Sequence, residues 1–69
     1  MKRYEFVRMK YKMTKGGYVT SKDTGYLDHR TVIREMAAQG WRFVGQIPVE
    51  AAGNWSSAPE YDLVFEYDN

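Results

Sequence analysis

The sequence predicts an α+β fold of the type β-α-β-β. One amphipathic helix lies on one face of a three-stranded, antiparallel or mixed sheet, in the order 1-3-2, with the last strand in the centre. Three observations predict it. Residues 27–41 show helical periodicity with a signal at each end. Strand-type alternation occurs once before that stretch and twice after it. The charge is split along the chain: residues 1–34 carry nine Lys/Arg against three Asp/Glu, and residues 35–69 one Arg against six Asp/Glu. The net charge of +1 hides this split. Strands from the two halves can therefore pair through their charges, although a basic surface for nucleic acid is the competing explanation.

Residues 4–13 read as the first strand. Val7, Met9, Tyr11 and Met13 alternate with Arg8, Lys10 and Lys12. Tyr4 and Phe6 are out of phase with the apolar set. Either a bulge near Phe6 changes the facing, or these two rings occupy the opposite face, where the helix does not cover them. Gly16-Gly17 is a turn signal, after which Tyr18-Val19-Thr20 can fold back as a short extra hairpin arm over 18–20. It is no phosphate loop, because the longer glycine motif and its Lys-Ser/Thr are missing. The polar run from Thr20 to Tyr26 is a loop leading to the helix.

Asp28 is a fitting N-cap, since its carboxylate can accept from N–H groups of the first turn. Leu27 and Val32 have the spacing of a hydrophobic staple. Val32, Ile33, Met36 and Ala37 form the apolar stripe, and Gly40 supplies the left-handed stop, with Trp41 just beyond. About three turns of helix are not stable alone, so the stripe must be buried against the strands.

Residues 41–50 read as the second strand, with Trp41, Phe43, Gly45, Ile47 and Val49 in one parity and Pro48 marking an edge or an irregularity. Residues 51–60 form a long connection. Its Trp55 either caps an end of the core, anchors a partner or stacks on a ligand. Residues 61–68 are the third strand: Tyr61, Leu63, Phe65 and Tyr67 alternate with Asp62, Val64, Glu66 and Asp68.

An antiparallel register sets Val7 by Tyr67, Met9 by Phe65, Tyr11 by Leu63 and Met13 by Tyr61, all facing the helix. It sets Arg8 by Glu66 and Lys12 by Asp62 on the other face. The expected core is Val7, Met9, Tyr11, Val32, Ile33, Met36, Ala37, Trp41, Phe43, Ile47, Leu63 and Phe65. Alanine at Trp41 or Phe65 is expected to cost on the order of 3–5 kcal/mol.

The stretch Met36-Ala37-Ala38-Gln39-Gly40-Trp41-Arg42-Phe43-Val44 stands between the opening Tyr4-Glu5-Phe6-Val7 and the closing Tyr61-Asp62-Leu63-Val64-Phe65-Glu66. With these segments the chain resembles the small bacterial family catalogued as domain of unknown function 4177. The likeness covers nearly the whole chain. It implies a compact bacterial domain and brings no catalytic residue with it.

Sixty-nine residues make one domain, 1–69, with a small stability margin. The chain has no cysteine, so disulfides and cysteine-based zinc sites are excluded, and a single His makes a protein-only zinc site a poor expectation. No segment has the apolar length of a membrane span or a signal peptide, which points to the cytoplasm. His29 lacks an orienting partner, since Asp28 is used as a cap, and Asp62, Glu66 and Asp68 are expected to be neutralised by Arg8 and Lys12. No catalytic, cofactor-binding or metal-ligating residue is therefore expected, and no cofactor.

The favoured expectation is a protein-interaction or self-association module without catalysis. Its interface residues are Tyr4, Phe6, Val44, Trp55 and Val64, on or beside the sheet face that lacks a helix. The alternative is a single-stranded nucleic-acid-binding protein contacting its strand through Arg3, Arg8, Lys10 and Lys12, interleaved with aromatic rings. The acids of the final strand would sit in the middle of that surface and count against it. A small-ligand-binding protein or enzyme ranks below both.

Overall fold

The computed structural model describes residues 1–49 and 60–68. Strand β1 (Lys2–Lys12) runs straight until Met13 enters a 3-10 turn, Met13–Lys15. That turn closes on Gly16, left-handed at φ 72°, whose N–H donates to the Met13 carbonyl at 3.1 Å. The chain then reverses into β2 (Gly17–Val19), which lies antiparallel to the end of β1 with Tyr18 opposite Tyr11. The hairpin arm expected at 18–20 is thus present, one residue earlier. A second 3-10 turn, Lys22–Thr24, follows. Thr20 fastens this loop from both sides. Its N–H donates to the Leu27 carbonyl and its hydroxyl accepts from the Leu27 N–H, each at 2.9 Å, which satisfies a threonine that is otherwise buried.

Helix α1 (His29–Ala38) has both expected ends. The Asp28 carboxylate accepts from the Thr31 N–H at 2.9 Å. At the far end, Gly40 is left-handed at φ 92°, its N–H donates to Ala37, and the Trp41 N–H donates to Met36, each at 3.0 Å. These two bonds complete a Schellman motif and satisfy carbonyls that the helix leaves open. The hydrogen bonds from Thr31 hold the Asp28 carboxyl below the usual carboxylate range. A carboxyl with a lowered folded-state pKa contributes stability above the unfolded value, about 3.9, and loses it as pH falls through the folded value. Asp28→Ala is therefore expected to melt earlier than the parent at neutral pH. The two curves should converge in strong acid, as circular dichroism would read.

Strand β3 (Arg42–Val49) follows the helix, and β4 (Glu60–Asp68) ends the described chain. The sheet has four strands, in the order β2-β1-β4-β3, and every pairing is antiparallel. The expected count of three is corrected by β2, which joins at the outside of β1. The final strand lies between β1 and β3.

The register differs from the expected one. Val7 faces Leu63 and Met9 faces Tyr61, with Arg8 opposite Asp62 and Tyr4 opposite Glu66. Relative to the expected pairing β4 has slid by four residues, an even number, so every side chain keeps its face. Met13 cannot pair with Tyr61 because it has already left the strand for the turn, where it is exposed. The slide also lets one arginine, Arg8, reach two acids.

The core is Met9, Val32, Leu63 and Phe65, with Val7, Tyr18, Leu27, Ile33, Met36, Trp41 and Tyr61 packed around it. Burial pushes the Tyr61 phenol up, with Tyr18 adding to the effect. Four residues expected inside are not. Tyr11, Ala37, Phe43 and Ile47 are exposed. Ile47 has a definite cause. The β3–β4 register breaks between Phe43, opposite Phe65, and Gly45, opposite Val64. Val44 is the extra residue of a bulge, and from there onward the parity of β3 is reversed. Ile47 thereby leaves the helix side and takes the Asp62 side. Trp41 is only half-buried, so its truncation should cost less than the range expected for a fully buried ring.

Candidate functional site

The bulge decides what the sheet presents on the side away from the helix. In β1, Lys2, Tyr4, Phe6 and Arg8 point there, opposite Asp68, Glu66, Val64 and Asp62 of β4. On the other flank of β4, Arg42 lies opposite Glu66, Gly45 opposite Val64 and Ile47 opposite Asp62. Val44, next after the inward-facing Phe43, emerges on the same side. The out-of-phase pair Tyr4 and Phe6 needs no bulge of its own, since the β1–β4 ladder is unbroken and the two rings occupy the opposite face.

Four large apolar side chains are thus brought to one face while remaining between 50% and 56% exposed: Tyr4, Phe6, Val44 and Ile47. They surround Val64, which is buried at the centre of the strip. Isolated exposed apolar residues are ordinary on protein surfaces, but a contiguous patch rimmed by charge is the arrangement found at interaction sites.

The rim is paired within the chain. Arg8 donates from Nε to Asp62 Oδ1 at 2.6 Å and from Nη1 to Glu60 Oε1 at 2.9 Å. These hydrogen bonds, that to Asp62 first and that to Glu60 second, raise the Arg8 pKa above its already high ordinary value. At the other end, Glu66 takes Lys2 at 3.4 Å and also Arg42, one cation from each flanking strand. Three cations therefore meet three acids in these pairs, and Asp68, opposite Lys2, adds a fourth acid to the same face. Arg42 was not foreseen as a partner. Its signal is position alone, two residues past Gly40 and at the start of a strand beside the acidic one.

Of the residues expected at an interface, Tyr4, Phe6, Val44 and Val64 come together, and Ile47 joins them. Trp55 lies outside the described residues. Of the residues expected to touch nucleic acid, Arg8 is held by its two acids rather than by Glu66. Arg3 belongs to the helix side, its guanidinium 5.1 Å from the centre of Tyr67 and 5.7 Å from that of Trp41. Lys12 does not reach Asp62. Its ammonium lies 5.0 Å from the centre of the Tyr26 ring. Lys10 is exposed beside it. Arg8, Lys10 and Lys12 share one strand parity, while Arg3 lies on the other side of the sheet. His29 is exposed at the first turn of α1. Among the described residues no cluster of His, Asp and Glu could hold a metal ion, and no helix is long and apolar enough to cross a membrane.

No curated protein sequence and no solved structure matches the chain. Residues 2–67 match the family model described as Domain of unknown function (DUF4177), and the chain belongs to that family.

Proposed function

We propose that this member of the DUF4177 family is a non-catalytic interaction module that works through the helix-free face of its sheet, and that the first partner of that face is the same face of a second copy. The observation that carries the reading is the strip of Tyr4, Phe6, Val44 and Ile47, half-exposed around a buried Val64. An apolar centre inside a polar rim is the anatomy of a protein interface. The rim supports a second copy in particular. Its three cations are each paired with an acid of their own chain, so most of the rim's charge is already offset when two identical faces meet.

The alternative route to self-association is strand-to-strand pairing, for which the sheet offers two edges: β3, and the part of β1 that β2 leaves without a strand partner, Lys2–Met9. The edge strand β3 carries both a bulge and Pro48, two devices that prevent a new strand from adding there. The dimensions agree with face-to-face stacking. The molecule measures 40 × 22 × 18 Å, and its broad side is on the scale of the about 800 Å² per partner that a standard interface buries.

Sedimentation velocity over a concentration series tests this directly. The parent chain should shift from monomer to dimer as concentration rises. Phe6→Ser should remain monomeric, with a thermal midpoint in dilute solution close to that of the parent, because Phe6 contributes little to the monomer's core. A parent chain that stays monomeric at millimolar concentration, indistinguishable from Phe6→Ser, would remove the reading.

A further inference from the structure

Lys2, Arg8 and Arg42 each have an acid partner, but the lysines at the far end of β1 do not. Lys10 and Lys12 at the end of β1, Lys15 in the first turn and Lys22 in the second converge there, and among the described residues none of them forms an ion pair. The acid nearest to them in sequence is Asp23, in the same turn as Lys22. The lysines gather around one ring. The ammonium of Lys12 is 5.0 Å from the centre of Tyr26, and that of Lys15 is 5.4 Å from it. Two cations against one ring repel each other, and the ring's attraction offsets this only in part. An anion placed between them would relieve that repulsion.

Three of the lysines, Lys10, Lys12 and Lys22, also border a hollow. A pocket of about 220 Å³ opens between the end of β1 and the loop that follows β2, lined by Lys10, Tyr11, Lys12, Ser21, Lys22 and Tyr26. Its wall is fixed. The Thr20–Leu27 pair of hydrogen bonds closes the loop at its base, and Tyr26 itself is held at φ 55°. Tyr26 is the one residue other than glycine with positive φ among the described residues. Such backbone is costly for a ring-bearing side chain, and residues of this kind concentrate at ligand clamps.

We infer that this pocket binds a phosphate group, taken either from a small phosphorylated molecule or from the backbone of a single nucleic-acid strand. Lysine ammoniums are point charges that suit the anionic oxygens of a phosphate, and the Ser21 and tyrosine hydroxyls add neutral donors around it. The volume accommodates one phosphate with a short organic remainder, and is below that of pockets taking larger ligands. This site is separate from the helix-free face and does not rest on the self-association reading. It also differs from a stripe along the first strand, since Arg3 and Arg8 are committed elsewhere.

The test is an amide chemical-shift titration at low salt with two probes, inorganic phosphate and an octathymidylate. Saturable shifts confined to residues 10–12 and 19–26 are expected with at least one probe. Saturation by inorganic phosphate itself assigns a small phosphorylated ligand. Saturation by the oligonucleotide alone assigns a strand. Lys12→Gln with Lys22→Gln should weaken binding by about tenfold for each lysine, and should lower the salt slope by roughly 1.4 if the ligand is a single strand. Tyr26→Asn, which tolerates the left-handed backbone, should fold as the parent does and bind more weakly. Arg34→Gln, exposed on the helix, should bind as the parent does. The inference is overturned if neither probe saturates, if the shifts spread over both ends of the sheet, or if the lysine double variant binds as tightly as the parent.

Discussion

Phe65→Ala is expected to lose on the order of 3–5 kcal/mol of folding stability, the largest effect of any single truncation in this chain. Phe65 and Met9 are the two large side chains with no accessible surface at all. Phe65 stands in the central strand between Glu5 of β1 and Phe43 of β3, and it packs with Val32 of the helix and Leu63 of its own strand. Its ring meets that of Phe43 edge-on, with centroids 5.7 Å apart. The cavity left by alanine would be walled by three elements, none of which can close it without giving up its own hydrogen bonds. A domain of this size has total stability near the low end of the usual range of about 5–15 kcal/mol, so the variant should be mostly unfolded under mild conditions. Phe43→Ala is the control. That ring is already 41% exposed and borders the same contact, so its loss should be clearly smaller. Urea unfolding reads both. A Phe65→Ala midpoint within experimental error of the parent's would contradict the packing.

Gly40→Ala is expected to be the next most damaging change, for two separable reasons. Gly40 sits at φ 92°, which a β-carbon disfavours by roughly 1–2 kcal/mol. A β-carbon there would also lie 2.8 Å from Cε2 of Tyr67. Tyr67 is not free to swing away. Its ring meets that of Trp41 at a tilt of 55°, centroids 5.3 Å apart, and carries the Arg3 guanidinium on its face. Displacing it adds an overpacking cost of about 1–3 kcal/mol. Gly25→Ala separates the two contributions, because Gly25 is also left-handed, at φ 84°, but has open space around its would-be β-carbon. Gly40→Ala should therefore destabilise more than Gly25→Ala. Equal losses in thermal unfolding would mean that the Tyr67 ring yields freely.

Much of this architecture is legible in the sequence because several local signals agree. Asp28, Gly40 and the stripe from Val32 to Met36 fix the helix without reference to anything distant. Period-two alternation sets the faces of the first and last strands, and an even-numbered slip in register leaves those faces intact. That is why Tyr4, Phe6 and Val64 could be placed on the open face from a register that was itself four residues out. The register depends on where β1 stops, which the Met13 turn decides and a methionine in an alternating run does not announce. The bulge at Val44 is the other hidden feature. Gly45 inside a strand is a recognised mark of such a break, but parity without the break puts Ile47 in the core. The lysine pocket was invisible for a different reason. Lys12, Lys22 and Tyr26 come from separate elements, and only the clasp between Thr20 and Leu27 brings them together.

A dilution series of amide spectra tests most directly whether the helix-free face meets its own kind. Between micromolar and millimolar protein, shifts and line broadening should concentrate on residues 4, 6, 44, 45, 47 and 64, and leave residues 29–38 of the helix unmoved. Spectra that do not change across that range, or that change on the helix and not on the strip, would contradict it.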